Sequence, residues 1–478
     1  MKFITDLHLH SKYSRAVSQE MVLSKMAEWA KLKGISVMGT ADFTHPFWLE
    51  HLKNELEEAG NGLYRLGTTT TDRRLQTKAV DSGQSTVDEV YFLLSTEISS
   101  IYNQGGKTRR IHNLFFFPSL ASVDKFGKQL FKRGANLRAD GRPIVGISSR
   151  DLAEIALECD DKALIIPAHA WTPWFSVFGS FSGFDSLSEC FTDMTGYIYA
   201  VETGLSSDPA MNWRIKDLDN RAIVSFSDAH SLEKIGREAT VFEADEVGYD
   251  SIYCAIAGPA KENSKLNRSP STGVTRDKIA SSPKIAFTIE FYPEEGKYHF
   301  TGHRDCNFSQ SPEETAKKGD ICPVCGRGLT IGVMHRVEDL AKREEKTKIQ
   351  MINGVKWIYP DDSSRPPYVS LVPLSEIIAE AFSVGVNTQK VQDLYLALAS
   401  TLGGEFSVLF EANLSEIAKI SGAKVAEGIG KVRKGDVVVE PGYDGKFGIV
   451  KIWQDVTVGE GKKEDVEKKE DAQLNLFA

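Results

Sequence analysis

The chain has 478 residues, 41% of them hydrophobic and 26% charged, a mix that belongs to a folded globular protein and excludes a disordered or fibrous one. Lys and Arg number 57 against 66 Asp and Glu, so the net charge of −9 excludes a globally basic nucleic-acid coat while leaving room for a local basic groove. The length predicts two or three domains. No apolar run approaches the ~20 residues that cross a bilayer, and the start MKFITDLHLH reads as no signal peptide, so a cytoplasmic protein without membrane contact is expected. Of the six Cys, three are scattered (Cys159, Cys190, Cys254) and three crowd together (Cys306, Cys322, Cys325), which points to metal in a reducing compartment.

Short apolar runs at 2–7, 35–40, 90–96, 111–117, 163–168, 198–203 and 222–227 predict strands. Amphipathic stretches lie between several of them; in 18–33, Met21, Val22, Met26, Trp29 and Ala30 recur at helical spacing. This alternation predicts an α/β fold with a mainly parallel sheet, open or closed into a barrel, over 1–285. Residues 60–88, rich in Gly, Thr and Asp, read as a loop. The stretch 125–150 carries Lys125, Lys128, Lys132, Arg133, Arg138, Arg142 and Arg150, and 261–284 carries six basic and two acidic residues with the Ser, Pro and Gly of a boundary. Both stretches, with Lys107, Arg109 and Arg110, are candidate phosphate contacts against the usual reading of a solvated face. A Cys/His segment follows over 286–345. A unit over 346–457 shows helical patterning at 374–403 and a β-like end, and 458–478 is a charged tail that turns apolar at its tip.

In Asp6-Leu7-His8-Leu9-His10, strand alternation puts His8 and His10 on one side. Alone, the pair could equally line a solvent-facing edge. Further ligand-type residues end the other apolar runs, however: Asp42, Glu97, His169, and Asp228 with His230, while His112 opens its run. In a barrel of parallel strands those ends converge on one face. Neutral imidazoles with carboxylates suit two or three divalent cations such as Zn, Mn, Mg or Fe. Two ions ~3.5–4 Å apart can clamp the attacking and leaving oxygens of a phosphoryl displacement. Asp6 and Glu202 are expected to support this set rather than join it.

The string HLHSKYS with Asp42, Glu97, His112, His169 and Asp228-Ala229-His230 resembles the polymerase-and-histidinol-phosphatase (PHP) family over roughly the first half of the chain. The resemblance implies a distorted (β/α)7-type barrel with a bi- or trinuclear metal site that hydrolyses phosphoesters. The family often has Thr-Asp-His where this chain has Ala41-Asp42-Phe43; His45 is the candidate replacement. GKYHFTGHRDC, GDICPVCGRGLTIGVMHRVEDLA and VVVEPGYDGKFG further resemble the endonuclease Q family, over nearly the whole chain. That resemblance implies nicking of DNA, double- or single-stranded, on the 5′ side of deaminated bases (hypoxanthine, uracil, xanthine) and abasic sites, leaving 3′-hydroxyl and 5′-phosphate, by a monomer at the nucleoid. A small-molecule phosphoesterase and a non-catalytic adaptor are the alternatives.

Cys322-x-x-Cys325 forms a knuckle, and His303-x-x-Cys306 repeats its gap, so Cys306, Cys322, Cys325 and His303 are the candidate ligands of one structural zinc, with His299 the rival fourth. Trp171, Trp174 and Phe175 follow His169 and are candidates for a pocket that stacks an extruded base, or for plain packing. Gly422, Gly428 and Gly430 amid helical patterning fit a phosphate-gripping pair of helices, and fit a packing role at least as well. At the tip, Gln473, Leu474, Leu476 and Phe477 of 473–477 resemble the pentapeptide that binds the bacterial sliding clamp.

Overall fold

A computed structural model describes residues 1–67, 89–263, 282–344 and 346–454. Most of the expected loop 60–88, most of the basic stretch 261–284, and the tail with Gln473, Leu474, Leu476 and Phe477 lie outside the described residues.

All seven expected strands are present. β1 (Lys2–Asp6) pairs in parallel with β2 (Val37–Gly39), and β2 in parallel with β3 (Tyr91–Gln104). α1 (Leu23–Lys33) connects the first two, burying Leu23, Met26, Ala27 and Ala30 along one face and stopping at Gly34. α2 (Pro46–Glu55) follows β2 with Pro46 at its first position. β3 then turns at Gly105–Gly106 directly into β4 (Lys107–Phe117), antiparallel in register from Leu94↔Phe117 to Gln104↔Lys107. β5 (Leu164–Pro167) runs antiparallel to β4, and β6 (Ala200–Glu202) pairs in parallel with β7 (Ala222–Val224). Two seams close a circuit. Ala170 N, just past β5, donates to Glu202 O at 3.0 Å, and Ser225 N, just past β7, donates to Thr240 Oγ1 in β8 (Ala239–Glu243) at 2.9 Å. β8 returns antiparallel to β1.

The expectation of a mainly parallel sheet is corrected by β4. With a two-residue turn and no crossover helix between them, β3 and β4 can only pair antiparallel. This also explains why His112 opens its run: on a reversed strand, the beginning of the run reaches the mouth that the other strands reach with their ends.

The sheet does not stop at the circuit. β8 pairs antiparallel with β9 (Lys284–Glu290), β9 in parallel with Tyr368–Ser370, and the hairpin Thr347–Ile352 and Val355–Pro360 completes the edge. The expected boundary near 285 therefore falls inside this ladder, because the outer edge of β8 needs a hydrogen-bonding partner and 284–290 supplies it, whereas that near 345 falls just before the hairpin that resumes the sheet. Five helices from Leu374–Phe382 to Ala423–Lys434 pack beyond it. Gly422 turns the last two back on each other, and a Cβ on Gly428 would lie 2.7 Å from the Trp453 ring, so packing accounts for that glycine.

At the end of β9 the buried Glu290 accepts from Ser225 Oγ at 2.6 Å and from Thr203 Oγ1 at 3.2 Å. Burial pushes its carboxyl up to about 8, and pushes that of buried Glu238 up as well. The unfolded chain gives up the Glu290 proton near the ordinary value of 4.5 while the folded chain keeps it to about 8. Stability is therefore lost as pH rises through that window. The melting temperature is expected to fall from about pH 5 to about pH 8, and Glu290→Gln to flatten that slope; an unchanged slope in differential scanning calorimetry overturns the assignment.

Candidate metal centre

Strands and the turns that follow them deliver the expected residues, three of them through unusual backbone. Asp42, His169 and Asp228 have φ of 39°, 30° and 48°, a left-handed conformation that turns each side chain sharply inward at the end of its strand. The turn at His169 depends on Gly204, where a Cβ would sit 2.4 Å from the His169 Cβ.

Glu97, in the middle of β3, is the hub. Its Oε2 lies 3.3 Å from His10 Nε2 and 3.7 Å from His8 Nε2; its Oε1 lies 2.6 Å from His112 Nδ1 and 3.2 Å from His169 Nε2. Asp228 Oδ1 sits 3.1 Å from His10 Nε2, 3.5 Å from His8 Nε2 and 3.6 Å from His230 Nδ1. Three groupings of donor atoms result: His8, His10 and Glu97; His10, Asp228 and His230; and Glu97, His112 and His169.

The residues fit divalent cations. Glu202 accepts from His8 Nδ1 at 2.9 Å, which turns the Nε2 lone pair toward the cluster, and that buried Nε2 has no hydrogen-bond partner. A carboxylate behind a ligating imidazole is the usual support of a metal site. Burial pushes both His112 and His230 down to about 4, so each ring is neutral at pH 7 and can offer a lone pair. Burial works to raise the Glu97 carboxyl, yet His112 and Arg142 beside it hold it well below the usual carboxylate range.

Seven of the eight expected ligands thus meet, and Asp42 does not meet them directly. Its Oδ2 accepts from Ser11 N and Ser11 Oγ, both at 2.7 Å, and from Ser14 Oγ at 2.9 Å, while Oδ1 faces His10 Nδ1 at 3.3 Å. Asp42 therefore orients His10. His45 is in none of the groupings; its ring stacks on Tyr13 at 4.5 Å, and Phe43 is buried edge-on against Phe117 and Phe126. Glu202 supports the set as expected, gripping His169 N as well at 2.7 Å. Asp6 accepts from Ser227 N and Gly236 N and braces the chain beneath.

Arg142 is the residue that sequence reasoning misplaced. Expected as one cation of a basic stretch, it lies 3.2 Å from Glu97 Oε2 with its side chain 17% exposed. Its only signal was position, two residues past Asp140 in a loop that returns to Tyr13 through the Gly141 N–H. Arg150 is held by Asp193 and Glu154, so it is no free phosphate contact.

Comparison with known proteins places this site in a family. The chain is 32% identical to the Methanocaldococcus jannaschii protein MJ0043 over 283 residues, 59% of this chain but 31% of that one. It is 28% identical to the Bacillus subtilis protein YqxK over 465 residues, covering 94% and 99% of the two. The MJ0043 C-terminal domain model matches residues 373–436, the five-helix unit. The crystal structure of the lesion-specific endonuclease PfuEndoQ from Pyrococcus furiosus superposes with a TM-score of 0.74 at 30% identity, covering 94% of this chain and 95% of that one. The endonuclease Q complex with a 27-mer duplex bearing an abasic lesion gives 0.74 at 31% identity, covering 95% and 97%. The chain belongs to the endonuclease Q family. As an endonuclease Q it is a metal-dependent endonuclease.

Two further features of this endonuclease Q flank the centre. His303, Cys306, Cys322 and Cys325 bring their donor atoms within 4.8 Å of one another, with Cys325 Sγ 3.4 Å from His303 Nδ1. His299 is outside the group, stacked on Phe300 with its Nδ1 buried and unpartnered. The set fits a tetrahedral zinc. Burial opposes it, but the backbone N–H groups of Cys325 and Val324 bring the Cys322 thiol down to about 6, toward the thiolate a metal needs. Of the aromatic candidates, Trp171 is buried with Nε1 donating to Asn212 Oδ1 at 2.8 Å, so it packs the interior and is no stacking surface. Phe175 lies 4.8 Å from the His112 ring, and Trp174 stacks on the exposed Phe181 at 4.8 Å and meets Tyr298 edge-on at 5.6 Å. Arg336, beyond the knuckle, donates to Phe178 O and Phe184 O and so ties this aromatic loop to the Cys/His segment.

Proposed function

We propose that the chain is a DNA-repair endonuclease that cuts on the 5′ side of deaminated bases (hypoxanthine, uracil, xanthine) and of abasic sites, leaving 3′-hydroxyl and 5′-phosphate ends. The observation that carries the reading is Glu97, a single carboxylate that faces imidazoles on both of its oxygens at the rim of a strand circuit read here as the distorted (β/α)7-type PHP barrel. His8, His10 and Glu97 would hold one cation, His112 and His169 with Glu97 a second, and His230 with Asp228 a third; His303, Cys306, Cys322 and Cys325 would hold a structural zinc. Bound divalent cations, whether Zn, Mn, Mg or Fe, acidify water and offset the charge that develops at phosphorus.

The chain's own groups do the rest. Glu202 and Asp42 fix the tautomers and tilt of His8 and His10. Arg142, partly exposed beside Glu97, offers N–H donors to a phosphate oxygen arriving at the mouth. Trp174 and Phe175 offer flat faces for a base drawn out of the duplex. The C-terminal residues Gln473, Leu474, Leu476 and Phe477 would dock a bacterial sliding clamp.

The test is nicking of duplexes that carry hypoxanthine, uracil or an abasic site, with Asp228→Asn as control. Cutting at the 5′ side by the wild type, abolished in the variant, is expected. Release of phosphate from small esters without nicking would reassign the chain to small-molecule chemistry, and full metal occupancy with no turnover would make it an adaptor.

A further inference from the structure

Joined to the metal centre through Ser11 and Asp42 lies a ledge that the proposed cut does not use. It is built from the loop after β1 and the start of α2. Tyr13 N donates to Ser11 Oγ at 3.3 Å, and Ser11 Oγ in turn donates to Asp42, so the ledge is one hydrogen bond removed from the support of His10. Tyr13 is held rigidly: its ring stacks on His45, its hydroxyl meets His51 Nε2 at 3.3 Å, and His51 Nδ1 meets Glu55 at 2.7 Å. Phe47 lies 6.4 Å from the Tyr13 ring and is 51% exposed, although it sits in the first turn of a well-packed helix.

Each ring carries a cation. Lys12 Nζ is 5.5 Å from the Tyr13 centroid and Arg138 Cζ is 5.7 Å from the Phe47 centroid. Among the described residues neither Lys12 nor Arg138 forms an ion pair, whereas the nearby acids Asp140 and Glu55 already face Arg15 and His51. Cations without acid partners, interleaved with exposed aromatic rings, are the two elements of a surface that tracks single-stranded nucleic acid: charge for the backbone and a flat face for a base.

We propose that Lys12, Tyr13, Phe47 and Arg138 form a second nucleotide site, on which a nucleotide flanking the scissile phosphate lays its base on Phe47 with its phosphates between Lys12 and Arg138. The proposal rests on the nuclease reading for its ligand. It gives the strand a fixed handrail next to the metal centre and explains why a large apolar side chain stays in water at the rim.

The experiment measures binding of a fluorescein-labelled abasic-site duplex by anisotropy, and nicking of the same duplex, for the full chain loaded with divalent metal, for Phe47→Ala, for Phe47→Trp and for Lys12→Gln with Arg138→Gln. Phe47→Ala is expected to weaken binding and raise KM by about tenfold, as loss of one stacked base does, with kcat preserved. Phe47→Trp retains binding. The double cation variant flattens the dependence of log affinity on log salt by ~1–2 units. Metal content and melting temperature stay as in the wild type. Affinity and salt slope unchanged in Phe47→Ala and the double variant overturn the ledge even if the wild type cuts. A wild type that binds the duplex, with these shifts, but never cuts it defeats the nuclease reading and leaves the ledge standing. A wild type that binds no duplex overturns both.

Discussion

Replacing Glu97 by glutamine is expected to end strand cutting, with a loss of ~10²–10³-fold or more in single-turnover rate, and to strip bound divalent ions from the chain. The reason is its double duty. One oxygen faces His8 and His10, the other His112 and His169, and an amide offers one neutral acceptor where the site needs two charged ones. The substitution also leaves the Arg142 guanidinium without its carboxylate at 3.2 Å, so some stability is lost with it. Arg142→Met in the Glu97→Gln background removes that unpaired charge. Melting should then recover while cutting and metal content stay low, which separates a broken centre from a broken fold. Wild-type metal stoichiometry in Glu97→Gln, read by elemental analysis, overturns the hub assignment.

The second large effect lies far from the chemistry. Lys33, at the end of α1, meets Glu405 at 2.6 Å with side chains 2% and 4% exposed. The Glu405 carboxylate also accepts from Leu374 N at 2.9 Å and from the Tyr395 hydroxyl at 2.8 Å. Three donors from three elements thus converge on one buried acid. Glu405→Ala is expected to cost ~3–5 kcal/mol, because it leaves the Lys33 charge buried without a partner. Combining it with Lys33→Met should restore part of the loss, since no buried charge is then left unpaired, while Leu374 N and the Tyr395 hydroxyl still lack their acceptor. Urea unfolding of the two variants checks this; equal stability of Glu405→Ala and wild type refutes the ion pair as the clasp between α1 and the five-helix unit.

Much of the centre was legible because metal chemistry restricts residue types and strands restrict where they fall. His8 and His10 two apart, and His169 and Asp228 each closing an apolar run, needed only the rule that strand ends meet, while Glu97 reaches the same place from the middle of β3. The four zinc-type residues were legible from spacing alone, and geometry then excluded His299. What failed did so for reasons of backbone direction and depth. Asp42 has the right type at the right strand end, but its left-handed φ turns the carboxylate onto Ser11 and Ser14. Arg142 looked like its basic neighbours because charge patterning does not report burial. Trp171 and Trp174 are three residues apart and chemically alike, yet one is sealed inside and the other stacks at the surface. The boundary at 285 followed composition, which is blind to a ladder that continues from β8 through β9 into 368–370.

The left-handed turns at Asp42, His169 and Asp228 set the outline of the candidate metal centre. Their geometry is fixed by neighbouring polypeptide: the missing side chain at 204, the grip of Glu202 on the His169 amide, and the serines around Asp42. A cup whose outline is dictated from outside does not reshape itself around whichever cation arrives. Such a rack admits a cation by fit, so an ion that demands another coordination geometry pays for it in affinity and not in a rearranged chain.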